Sequence, residues 1–174
     1  MSQKQEIFIF ATAATTSHQI PKLVQAVIEA GWTSYTITTP NLEMILPPQQ
    51  IHDIPGNQPI FHYGQPPLDI FPFGTMLVAP CTFNTFNKLA LGIADNLAMA
   101  MLADAIGTGC STFIAPSMTY GLWNHPQVKE SKERLQDWGC HIIQPQVQDN
   151  FAMAAIDDIL THLYKHFALT NKTS

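Results

Sequence analysis

Short apolar runs alternate with amphipathic stretches through most of this chain. Residues 6–11 (EIFIFA) are apolar and β-forming, and a Thr/Ser cluster leads from them into PKLVQAVIEAGW. There Leu23, Val27 and Ala30 fall on one helical stripe and Gly31 is a stop. SYTITT (34–39) is β-branched and halts at Pro40, which gives a second strand. Residues 47–72 concentrate prolines, and within them only PIFHY (59–63) reads as a strand, so an irregular excursion is expected. From TMLVAP (75–80) the rhythm resumes with a helix over 83–106, a strand STFIAP (111–116) and a helix over 126–138. A strand CHIIQP (140–145) follows, then a C-terminal helix over 151–167 within the closing segment 146–169, and a polar tail at 170–174. The pattern predicts one α/β domain over 1–174, a Rossmann-like doubly wound parallel sheet flanked by helices on both faces. Ligands of such sheets bind beyond the C-terminal strand ends.

LAMAMLADAI (97–106) is apolar nearly all round, which for a helix means burial on more than one face. Composition points the same way: 46% of residues are hydrophobic and 12% charged, against about 25% charged in an ordinary domain. Little of the chain is made for water, and a self-associating protein, a homotrimer or higher, is expected. The net charge of −5, with 8 Lys plus Arg and Arg134 as the one arginine, leaves no basic stripe for a nucleic-acid backbone. No apolar run reaches the roughly 18 residues that span a bilayer, and the N-terminus lacks a secretory h-region, so a cytoplasmic protein with no membrane partner is expected. Cys81, Cys110 and Cys140 are odd in number and widely spaced, which fits neither a disulfide framework nor a zinc site and predicts reduced, mostly buried thiols.

Candidate chemistry falls at the strand ends. ATAATTS (11–17) places small residues before a helix whose free N–H groups either receive a phosphate or are simply capped. TTPN (38–41) offers hydroxyls and Asn41 at a second such corner, or an N-cap at Thr39 with Pro40 in the first turn. His162 and His166, four apart, lack the Glu of a zinc helix and read as a solvated face. His125 before Pro126 reads as a helix start. No metal site is expected.

The third strand runs into APCTFNTFNKLALGIADNLA, where Ala79, Pro80, Asn84, Thr85, Lys88, Leu89, Ala90, Gly92, Ile93, Ala94, Asp95, Asn96 and Leu97 fit the pattern AP.SANT.KLA.GIADNL, with Thr82 in the serine position. The segment resembles the homo-oligomeric flavin-containing cysteine decarboxylases, a flavoprotein family that includes phosphopantothenoylcysteine decarboxylase, the lantibiotic peptidyl-cysteine decarboxylases and, more distantly, flavin prenyltransferase. Upstream, Thr12 and Pro21 are in register with the family's first turn and helix; downstream, Pro116, Met118, Trp123 and Pro126 fit PxMNxxMW followed by a proline. The likeness covers about residues 6–145. It implies FMN as cofactor, a small-molecule substrate, and a cofactor site made of Thr12, Ala13, Ala14, Thr39, Thr82, Phe83, Asn84, Thr85 and Ser117. Hydroxyls and a helix N-terminus near Phe83 can satisfy a phosphate without Lys or Arg. Cys81 has a counterpart in the APCSM motif of the prenyltransferases, or is a small buried hydrophobe.

The substrate side departs from the pattern. His62, in PIFHYG, precedes the AP motif as the family's catalytic His does, but counting back from Pro80 that position falls on Pro66. Thr119 stands where PxMN has its Asn, and QPQVQDNFAMAAIDDIL carries neither Cys nor Gly where the family has a substrate loop. With His62, Asn84 and Thr119 as catalytic candidates, the resemblance implies an FMN-dependent decarboxylase-like lyase with an altered substrate site. In that reaction flavin oxidises the thiol side of a small carboxylate and carbon dioxide leaves. A non-catalytic flavin-binding subunit and a prenyltransferase-like enzyme are the alternatives; Lys88 being the lone Lys or Arg between Lys22 and Lys129 weighs against the latter.

Overall fold

The computed structural model describes residues 4–170, and its centre is one mixed sheet in the order β3-β2-β1-β4-β5-β8-β7, with β6 also on β5. Strands β1 (Glu6–Ala11), β2 (Thr33–Thr38), β3 (Asn57–Pro59), β4 (Thr75–Cys81) and β5 (Thr112–Thr119) pair in parallel. Beyond β5 the edge is shared: β6 (His141–Ile142) pairs in parallel with Phe113 and Ile114, while β8 (Phe151–Met153) pairs antiparallel with Ser117 to Thr119. Strand β7 (Gln146–Gln148) completes a hairpin with β8.

β1 shows why such strands read as unbroken apolar runs: both of its faces are covered. Phe8 and Phe10 join Tyr35, Ile37, Met76 and Val78 under α4 (Phe83–Leu91), α5 (Leu97–Gly107) and α7 (Pro126–Asp137). Ile7, Ile9 and Ala11 join Leu77 and Ala79 under α1 (Ile20–Glu29) and α8 (Ile156–Thr170). The remaining helices, α2 (Pro40–Glu43), α3 (Gln49–His52) and α6 (Tyr120–Trp123), are single turns at strand ends.

Three expectations need correction. The helix expected over 83–106 is two: α4 stops at Gly92 in the left-handed region (φ 68°), Ile93 N–H bonds the Lys88 carbonyl at 3.0 Å, and Asn96 caps α5 by accepting from Met99 N–H at 3.1 Å. The glycine and the Asn were stop and start signals inside an otherwise helical pattern. Of the strand expected at 59–63 only Pro59 is in register with β2, and the Ile60 N–H makes the last bond, to the Thr36 carbonyl at 2.8 Å; beyond it the Gln65 amide takes the ladder's place, accepting from Phe61 N–H at 3.0 Å and donating to the Pro59 carbonyl at 2.6 Å. The helix expected from 151 begins at Ile156, and the hairpin precedes it. There Asp149 (φ 47°) and Asn150 (φ 66°) make the two-residue left-handed turn that suits the twist of paired strands. The apolar helix α5 buries Ala98, Met99, Met101, Leu102 and Ala105 within this single chain, with Ala103, Asp104 and Gly107 exposed. Of the polar tail, residues 171–174 lie outside the described residues.

Candidate functional site

The C-terminal ends of β1, β2 and β4 meet where the chain is tied together by one hydroxyl. Thr12, only 2% exposed, donates to the Pro80 carbonyl at 2.6 Å and accepts from Thr82 N–H at 3.2 Å. The turn after it is closed by Ser17, whose Oγ accepts from Ala14 N–H at 2.8 Å and lies 3.1 Å from the Thr12 carbonyl. Thr39 N–H donates to the Ala11 carbonyl at 3.1 Å, holding β2 beside β1; Thr39 is at the N-cap position of α2, with Pro40 next, but its hydroxyl makes no capping bond. β4 shifts register against β5 between Val78 and Cys81, which carries the chain out of the sheet before α4 begins. Thr82 caps α4: its Oγ1 accepts from Thr85 N–H at 3.3 Å and donates to Thr85 Oγ1 at 3.1 Å.

These corners enclose a cleft of about 340 Å³. Thr12, Ala13, Thr39, Thr82, Asn84 and Thr85 line it together, so six of the residues named from sequence converge on one space. Pro40, Asn41, Lys88, Asp95, Asn96 and Met99 complete the wall. Lys88, Asp95 and Asn96 stood in the motif without a role; the signal that could have assigned one to Lys88 and Asp95 was their charge in a segment otherwise neutral. Lys88 and Asp95 form an ion pair, and the hydrogen bond from Lys88 holds the Asp95 carboxyl below the usual carboxylate range. Hydroxyls, two backbone corners and the open first turn of α4 form a donor set that suits an oxyanion.

Other named residues lie elsewhere. Ala14 and Phe83 are not part of the cleft wall; the Phe83 ring packs edge-on against His125 at 5.4 Å. Ser117 sits across β5, its Oγ 2.8 Å from Thr16 Oγ1, beside a small apolar cavity lined by Ala79, Pro80, Pro116 and Ile159. Thr119 ends β5 opposite Phe151, with its amide environment set by the hairpin. His62 is exposed in the loop after β3 and does not line the cleft. Burial pushes the Cys81 thiol far up and the Cys140 thiol up to about 11, so both are unreactive apolar groups. His125 begins α7 as expected, its Nδ1 accepting from Gln127 N–H at 3.1 Å. His166 is not on a solvated face: its ring packs against Phe113 at 5.3 Å and His141 at 6.5 Å, because α8 lies on the sheet at this point. Among the described residues no group of three or more His, Cys, Asp or Glu is placed to hold a metal, and no helix is long and apolar enough to cross a membrane.

The profile of the Flavoprotein family matches residues 1–168. This chain belongs to the Flavoprotein family. Among curated relatives of the family, a cysteine/cysteine sulfinic acid decarboxylase from an unknown prokaryotic organism is 42% identical over 69 residues, covering 40% of this chain and 18% of that protein. The bifunctional coenzyme A biosynthesis protein CoaBC of Borreliella burgdorferi is 24% identical over 152 residues, or 83% of this chain and 38% of its own length. The chain thus spans well under half the length of these curated relatives. A solved PPC decarboxylase, the C175S mutant complexed with pantothenoylaminoethenethiol, superposes with TM-score 0.82 at 19% identity, covering 95% of this chain and 100% of that one. The flavoprotein fold expected from sequence, helices on both faces of a largely parallel sheet, is the fold observed.

Proposed function

We propose that the cleft binds FMN and that the chain serves a decarboxylase-like lyase acting on a small carboxylate or thiol. The observation that carries this is the convergence of Thr12, Thr39, Thr82, Asn84 and Thr85 on one cleft at the C-terminal strand ends. The donors fit the group: hydroxyls and the first-turn N–H groups of α4 receive the phosphate, while the Asn84 amide both donates and accepts, as a flavin edge requires. Bound FMN supplies two-electron oxidation of the substrate. The chain's own part is to position. Thr12 fixes the distance between the β1 and β4 ends, and the Thr82 cap sets the direction of α4.

On the substrate side, Thr119 offers one hydroxyl where the family pattern has an amide, and the hairpin 146–153 carries neither Cys nor Gly. The thiol that the family pattern uses to donate a proton is thus lacking there, and loss of grouped positioning and acid–base terms is costly. The substrate is accordingly distinct from the usual C-terminal cysteine compounds, and His62, exposed in the loop after β3, is the one histidine near enough in sequence to substitute. Exposed Met44, Ile45 and Ile70 are apolar surface for self-association, read as a homotrimer with FMN near the subunit boundary. Free thiols and this chemistry support a cytoplasmic reading. Mass analysis of small molecules released on denaturing the purified protein tests the reading: FMN is expected, and absence of flavin together with failure to take up added FMN would overturn it. Sedimentation at micromolar concentration showing a monomer would remove the trimer.

A further inference from the structure

The cleft wall holds twelve residues, and only two of them, Lys88 and Asp95, carry formal charge. These two are bonded to each other. Lys88 lies one turn beyond Asn84 and Thr85 on the face of α4 that lines the cleft. Helical side chains lean toward the N-terminus of their own helix, so a Lys88 released from Asp95 can reach toward the end where the Thr82 and Thr85 hydroxyls sit. Asp95 comes from the loop 92–96, which Gly92 turns and Asn96 closes by capping α5; its other carboxylate oxygen accepts from Asn96 Nδ2 at 3.3 Å. With side chains 24% and 47% exposed, the pair remains open to solvent and to a ligand. Ion pairs this exposed hold folds together only weakly, whereas the field they set in a cleft acts on whatever binds there.

We propose that the Lys88–Asp95 pair sets how strongly this cleft prefers a phosphorylated ligand over its unphosphorylated counterpart, Asp95 withholding the one ammonium group from a dianion at the N-terminus of α4. The inference rests on the flavin reading above. Because the two charges cancel, the resting cleft does not concentrate small anions, and a phosphate is selected by the geometry of hydroxyls and N–H groups. Removing the carboxylate frees a cation one helical turn from that phosphate. Removing the ammonium leaves an unpaired anion in the same place.

Titrations of the full chain with FMN and with riboflavin, read by flavin fluorescence at low and high ionic strength, separate these cases. Asp95→Asn is expected to raise the FMN-to-riboflavin affinity ratio about tenfold, as for a gained charge-assisted bond, and to make FMN binding more sensitive to salt. Lys88→Gln is expected to lower the ratio by a similar factor, and the double variant to return it close to the starting value. If Asp95→Asn fails to fold by circular dichroism, Lys88→Gln alone carries the test. Equal effects on both flavins would overturn the proposal and leave the pair as a strut for the loop 92–96. A double variant that behaves like Lys88→Gln would also overturn it, since the charges would not be cancelling. A starting protein that binds neither flavin overturns the flavin reading and this inference together, which distinguishes that failure from a flat ratio.

Discussion

The two ends of the ligand-facing rim are built on different terms. On one side, the corners after β1, β2 and β4 rise from strands buried on both faces, and Thr12 stitches two of them together through buried hydrogen bonds. On the other, the hairpin β7–β8 hangs on β5 through three antiparallel positions, and every residue of β7 is exposed. Rigid strands make a cradle whose donors are fixed before a ligand arrives. A hairpin held by so few partners belongs to the part of a structure that opens locally at low cost. The lesson is one of division: under the flavin reading proposed above, the invariant cofactor falls to the deep side and the variable substrate to the shallow side.

The sharpest way to break this contrast is to undercut the deep side. Phe10→Ala, a fully buried side chain beneath the cradle, is expected to cost about 3–5 kcal/mol in urea unfolding, whereas Val147→Ala in the exposed hairpin should cost less than about 0.5 kcal/mol. Thr12→Val keeps the shape but orphans the Thr82 N–H, and is expected to cost about 1–3 kcal/mol and to weaken FMN binding in the same titration. A smaller effect comes from pH at the far edge. Burial, and then the neighbouring His141, hold the His166 imidazole below its ordinary 6.5. Unfolding therefore takes up a proton in that range, so this contribution is complete above about pH 6.5 and is lost as pH falls through the depressed folded value. Urea midpoints measured down a pH series should fall, and His166→Gln should flatten the fall. The smallest effect is expected from Asn150→Gly: relieving a left-handed residue in the hairpin turn (φ 66°) should stabilise by a few tenths of a kcal/mol. A loss there instead would mean that the Asn side chain secures the turn.

The deep side was largely legible in the sequence and the shallow side was not, for physical reasons. Strands β1, β4 and β5 announce themselves because burial on both faces demands continuous apolar runs, and Thr82 followed by Thr85 is a capping arrangement that sequence spacing reveals. The recognised motif supplied most of the cleft. Missed were the interruptions that use few residues: Gly92 and Asn96 dividing one apparent helix, the Gln65 amide ending β3, and the Asp149–Asn150 turn. The last was readable, since two turn-forming residues flanked by Val147 and Phe151 mark a hairpin, but the helix-like run after Phe151 outweighed it. Ser117 was assigned to the cofactor by resemblance; its hydroxyl lies 2.8 Å from Thr16 Oγ1, beside the cleft and not in its wall. No periodicity encodes which side of a strand end faces a cleft.

The short outer strands have a consequence for how this chain behaves in a crowded solution. A sheet margin is a template, because its unpaired N–H and C=O groups will accept a strand from any neighbour. Among the described residues the margins are β3 and β7, three residues each, with Pro59 in the first, and the two-residue β6, which with β8 occupies the outer edge of β5. A chain that is 46% hydrophobic therefore offers almost no backbone on which sheets could grow from molecule to molecule. Copies that meet are therefore expected to do so through side-chain faces and not by adding strand to strand.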